Sequence, residues 1–223
     1  MKKLILILMT LIFAATFVVI PASAEGNKYI TEVCNKNTAR LIIGDSRCVQ
    51  LYRVGKKSSS FVAVWGGHYG SGFQGDYTIN TTARRSRMKR YIKASVYAKG
   101  KCSVFIFATI NDYSFGSGYE SYMDSLIRQA CELKKYGVKY GGKTVRPKVY
   151  IVKLIGFEPE HAQYNKNIPK YNKRLTKLAK SYGISTLDLS GCLEGSNQGY
   201  RKPNDLHYNK KTLANMWKVI KKH

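Results

Sequence analysis

Residues 41–50 read LIIGDSRCVQ, and the interpretation of the chain turns on them. Leu41, Ile42 and Ile43 make an apolar, strand-like run that stops at Gly44-Asp45-Ser46, after which the pattern becomes helical. A parallel sheet delivers a serine hydroxyl to the mouth of a cleft in this way: a buried strand ends, a glycine lets the backbone turn, and a helix opens. The same junction can be a plain connection between a strand and a loop. Its meaning depends on whether other segments supply a base, an orienting acid and donors for an oxyanion.

Outward from this stretch, apolar strands alternate with amphipathic helices. Strands are expected at 39–43, 61–65 (FVAVW), 102–109 (CSVFIFAT), 148–155 (KVYIVKLI) and 184–189 (ISTLDL). Helical spacing of apolar residues predicts helices over 83–98, 119–135, 169–182 and 210–221, with Gly137 and Gly183 ending the second and third. The repeated alternation implies an α/β domain with a five-stranded parallel sheet and helices on both faces. Ligands of such sheets bind beyond the carboxyl ends of the strands. The segments to inspect are therefore Gly44-Asp45-Ser46, the glycine-rich loop after Trp65, Ile110-Asn111-Asp112, Gly156-Phe157-Glu158, and the polar loop that runs to His207.

The chain has 223 residues, 44% of them hydrophobic, which suits one domain with a proper core. Its first 24 residues stand apart. Lys2 and Lys3 precede an apolar run that closes with Ala22-Ser23-Ala24, the parts of a secretory signal peptide cleaved after Ala24. An uncleaved membrane anchor is the alternative. Residues 25–38 read as a linker, and 39–223 as the functional domain, placed outside the cell or at the cell wall with no membrane span after cleavage.

Lysine and arginine number 38 against 13 acidic residues, a formal net charge of +25. Such a field draws in polyanions. For an exported protein these are anionic cell-wall polymers or acidic polysaccharides; without zinc-finger or RNA-binding signatures, nucleic acid is not expected. A basic, solvated surface with no dedicated partner accounts for the scattered lysines equally well. The five cysteines form no CxxC pair, so no zinc site and no other metal or cofactor is implied. Cys48 is a packing residue in this reading, as are Cys102 and Cys131.

Histidine is the natural base for a serine near neutral pH, and there are four: His68, His161, His207 and His223. His161 and His223 read as solvated. His68 falls in the glycine loop, where substrate contact is expected of it, and His207 closely follows an acid, as a base held in one tautomer requires.

LIIGDSR, WGGHYG, ATINDY and NDLHY, in this order, resemble the four sequence blocks of the SGNH/GDSL hydrolase superfamily and span almost all of the mature chain. The resemblance implies a three-layer, flavodoxin-like α/β/α fold and esterase, lipase, deacetylase or acyltransferase chemistry. It assigns Ser46 as nucleophile and His207 as base. Asn111, the Ser46 N–H and either Gly67 or Gly70 would form the oxyanion hole. Two positions depart from the family pattern. Thr109 stands where the third block has glycine, and Asn204 stands three residues before His207, where the acid is usual. Asp205 can orient His207 if its loop is locally extended; otherwise Asn204 or a backbone carbonyl takes that place. The implied activity is a secreted serine esterase removing acyl groups, acetyl foremost, from a cell-wall or extracellular glycan or from small esters. The alternatives are an acyltransferase, or a catalytically weak domain that serves as a basic adhesin or glycan-binding module.

Overall fold

The computed structural model describes residues 29–35, 37–55, 58–65, 82–110 and 119–223. Its strands are β1 (Tyr29–Val33), β2 (Arg40–Gly44), β3 (Ser60–Trp65), β4 (Ser103–Phe107), β5 (Val138–Tyr140), β6 (Lys143–Val145), β7 (Lys148–Val152) and β8 (Ser185–Leu187). The α-helices are α1 (Ser46–Gly55), α2 (Thr82–Lys99), α3 (Tyr119–Lys135), α4 (Ile168–Ser181) and α5 (Lys210–Lys221).

The main sheet runs β1-β3-β2-β4-β7-β8. Five of these strands are parallel, and β1 adds to the edge of β3 in the antiparallel sense, Tyr29 opposite Trp65. The parallel strands follow the flavodoxin-like order, whose ligand crevice opens between β2 and β4, where the chain reverses its direction of winding. Residues 25–38, read as a linker, thus contain an edge strand. In YITEV every residue but Glu32 is β-branched or aromatic, and the edge of β3 supplies partners for its backbone.

Side chains that alternate across each strand fill two cores. Leu41 and Ile43 of β2, with Val104 and Ile106 of β4, pack towards Ile92, Leu126 and Leu175 of α2, α3 and α4. Ile42, Phe105 and Phe107 face the opposite way, towards Leu51 of α1 and Met216 and Trp217 of α5. This period of two, with both faces apolar, places helices on both sides of the sheet and makes three layers.

Gly44 has a different purpose from the expected turn. A Cβ there would collide with Cys48 Sγ and lie 3.1 Å from Phe107 Cβ, so glycine is needed for α1 to sit tightly on the sheet. The fourth predicted strand also stops early, at Val152 rather than residue 155. Asn172 explains this: its Oδ1 accepts from the Leu154 N–H at 3.0 Å and its Nδ2 donates to the Leu154 carbonyl at 2.8 Å. A side-chain amide here takes the place of a neighbouring strand.

Candidate active site

Asp45 organises the approach to the candidate nucleophile. Its Oδ1 accepts the Arg47 N–H at 2.9 Å, and its carbonyl accepts the Cys48 N–H at 2.9 Å. Asp45 is therefore the N-cap of α1, and the helix starts without using the Ser46 hydroxyl. Burial pushes the Asp45 carboxyl above its ordinary value, against the opposing pull of Arg47 and of His207. Ser46, half-buried, occupies the first helical position at the end of β2. Its N–H belongs to the first turn, whose donors have no partner within the helix. Cys48 is fully buried, and burial raises its thiol well above the ordinary range, which removes it as a nucleophile.

The loop before α5 carries the acid and the histidine. Asp205 Oδ1 accepts the backbone N–H of His207 at 2.9 Å and lies 2.8 Å from His207 Nδ1. This is an Asx turn, in which a side-chain carboxylate stands in for a backbone carbonyl two residues before the donor. The turn lets an acid only two positions ahead meet the ring. Asn204 lies exposed in the preceding turn, and Asn209 caps α5 by accepting the Thr212 N–H at 2.8 Å, so Asp205 has no capping duty. Arg201 grips the other side of the carboxylate, with Nη2 2.6 Å and Nε 2.8 Å from Asp205 Oδ2. Partial burial pushes the Asp205 carboxyl up. Hydrogen bonds from the His207 N–H and ring and from Arg201 outweigh this and hold it below its usual value.

Arg47 joins these two halves. Its side chain is buried, and Nε donates to the Leu206 carbonyl at 2.9 Å while Nη1 donates to Tyr208 Oη at 2.8 Å. Nη1 and Nη2 also donate to the carbonyls of Ile155 (3.2 Å) and Gly156 (3.3 Å) beyond β7. The guanidinium lies 4.9 Å from the centre of the Tyr208 ring. Burial lowers its pKa, but the fields of Tyr208, Tyr200, Asp45 and Glu158 outweigh that cost and keep it charged. Asp45 is thus within electrostatic reach of His207, and Arg47 binds residues on both sides of His207. Arg47, next to Ser46, holds the histidine loop to the start of α1.

Arg47→Leu would leave the Leu206 and Ile155 carbonyls and the Tyr208 hydroxyl without this donor, the Gly156 carbonyl keeping the Tyr200 hydroxyl, and would strip Asp45 and Glu158 of a cation. The expected loss is about 3–5 kcal/mol of unfolding free energy, read from urea denaturation.

A second acid–histidine pair stands nearby. His161 Nδ1 bonds to Glu158 Oε1, and Glu158 is wholly buried within electrostatic reach of Arg47. His161, read as solvated, is 45% exposed at its side chain and also engages Glu158 through its ring. The i, i+3 spacing of acid and histidine beyond β7 was the available signal. A cleft of about 550 Å³ opens beside this rim, lined in part by Gly156, Asn172, Asp188 and Ser190. Asn111, Gly67, Gly70 and His68 lie outside the described residues.

The strand order, with helices on both faces of the sheet, gives the fold of the SGNH/GDSL hydrolases. Among solved structures, the chain is similar to a GDSL-like lipase from Bacteroides thetaiotaomicron, at 15% identity and a TM-score of 0.54, over 84% of this chain and 87% of that one. It is also similar to a carbohydrate acetylesterase from Sinorhizobium meliloti (12% identity, 81% and 95% covered, TM-score 0.44). A third likeness is to the OSK domain of Drosophila Oskar (12% identity, 93% and 95% covered, TM-score 0.48). No protein-family model matches the sequence, and no curated protein is significantly similar to it.

Proposed function

We propose that this protein is a secreted serine esterase that removes acyl groups, acetyl foremost, from a glycan of the cell wall or the surrounding matrix. The observation that carries the reading is the 2.8 Å contact between Asp205 and His207 on a loop that Arg47 ties to the helix of Ser46. In this mechanism His207 Nε2 takes the proton of Ser46 Oγ as the oxygen attacks the ester carbonyl. Asp205 fixes the tautomer with the proton on Nδ1 and stabilises the imidazolium.

The tetrahedral oxyanion receives the Ser46 N–H, the Asn111 side-chain amide and the N–H of Gly67 or Gly70, donors worth about 3–4 kcal/mol each. Collapse breaks the bond to the glycan oxygen, which leaves with the proton from His207, and the acyl group stays on Ser46. Water, deprotonated by His207, then releases the acid and restores the serine.

The test is turnover of p-nitrophenyl acetate and of an acetylated glycan by the mature chain, with mass spectrometry after treatment with a phosphonate ester. Hydrolysis of both, with the adduct on Ser46, is expected. Absence of turnover on either ester, or an adduct elsewhere, overturns the proposal.

A further inference from the structure

The pole of the sheet opposite Ser46, where the parallel strands begin, carries an exposed aromatic pair. Tyr97, near the end of α2, is 52% exposed, and Tyr140, at the tip of the β5–β6 hairpin, is 40% exposed. Their rings meet edge to face, with centroids 6.2 Å apart and planes at 65°. Tyr140 rests over Gly100, where a Cβ would lie 3.4 Å from its ring.

Cations surround the pair. Lys93 Nζ is 5.7 Å from the centre of the Tyr97 ring, and Lys99 and Lys101 flank Gly100. Lys99 and Lys101, with Arg40, also line a cavity of about 330 Å³, whose other walls are Asn37, Thr38, Ala39 and Ser58. Arg40 Nη2 donates to the Lys221 carbonyl at 2.6 Å, and its Nε is buried without a hydrogen-bond partner among the described residues. Neither segment that builds the aromatic pair contains an acid: residues 77–111 and 133–157 hold no aspartate or glutamate. So many like charges at one end of the molecule draw in anionic ligands.

We infer that this pole is a binding surface for an acidic glycan, separate from the catalytic rim and independent of ester hydrolysis. The apolar C–H faces of sugar rings pack on the tyrosines, whose hydroxyls reach sugar hydroxyls, while Lys93, Lys99 and Lys101 meet carboxylate or sulfate groups. The ring geometry favours a glycan over single-stranded nucleic acid. Successive bases stack on parallel aromatic faces, and two rings at 65° offer no such platform.

The test measures binding of the mature chain to sodium polygalacturonate, hyaluronate and chondroitin sulfate. Inorganic polyphosphate and a mixed-sequence single-stranded DNA oligonucleotide are the comparison ligands, each at low and at physiological salt. At least one glycan is expected to bind, less tightly as salt rises. The double variant Tyr97→Ala/Tyr140→Ala is expected to lose about tenfold in glycan affinity and nothing towards polyphosphate. Lys99→Glu/Lys101→Glu is expected to weaken both. Circular dichroism and p-nitrophenyl acetate turnover should match the parent in every variant, which separates this surface from the catalytic proposal. Failure of all three glycans to bind, an unchanged affinity in the tyrosine double variant, or tighter binding of the oligonucleotide overturns the inference.

Discussion

Ser46→Ala is expected to lower kcat/KM for p-nitrophenyl acetate by about 10⁴- to 10⁶-fold, leaving only what the oxyanion donors and substrate binding provide. The fold is expected to be unaffected. Asp45, not Ser46, caps α1, so the cap survives loss of the hydroxyl, and alanine suits the first turn of a helix. A urea midpoint equal to that of the parent, together with lost activity, isolates the chemical role. Activity close to the parent's would remove Ser46 as nucleophile, and Cys48 could not replace it, because that thiol is buried and hard to ionise.

The second large effect concerns Asp205. Asp205→Asn keeps the size of the side chain and can still accept the His207 N–H, but it removes the charge that holds Nδ1–H and faces the imidazolium. By analogy with the aspartate of serine proteases, kcat should drop by about 10⁴-fold with KM little changed. A fall of less than about tenfold would mean that a Ser–His dyad suffices.

The same carboxylate contributes to stability, and pH exposes that share. The Asp205 carboxyl is held below its ordinary value, so its contribution to stability is complete above the unfolded pKa of about 4. That contribution is lost as the pH falls through the depressed folded value. The parent is therefore expected to lose Tm on acidification below about pH 4, and Asp205→Asn to lack this share of the loss. Truncating Arg201 should matter less. Its side chain is 46% exposed, and an ion pair with one end in solvent is worth about 1 kcal/mol or less.

The parallel strands and long helices were legible because their signals are local. Runs such as LIIG and SVFIF are apolar on both faces, and helical spacing over 210–221 puts Leu213, Met216, Trp217 and Ile220 on one buried side. The β5–β6 hairpin also has a local signal, Gly141-Gly142 between two short β-prone runs, and both glycines have positive φ, +54° and +74°. Arg47 could not be picked out, being one basic residue among 38 until the fold buries it. Nor could spacing show which of Asn204 and Asp205 contacts His207, since that contact depends on an Asx turn held by Arg201 and by the loop's attachment to α1.

Sequence alone determined the alternation of strands and helices, and with it the position of Ser46 at the carboxyl end of a buried strand. These follow from side-chain periodicity and from the limits that glycine and capping residues place on the nearby backbone. Only the tertiary structure decided that β1 joins the sheet, that Asp205 contacts His207, and that the buried Arg47 links the serine helix to the histidine loop. Each depends on which distant segments meet, and a buried charge becomes tolerable only when those segments bring carbonyls, hydroxyls and counter-charges to it.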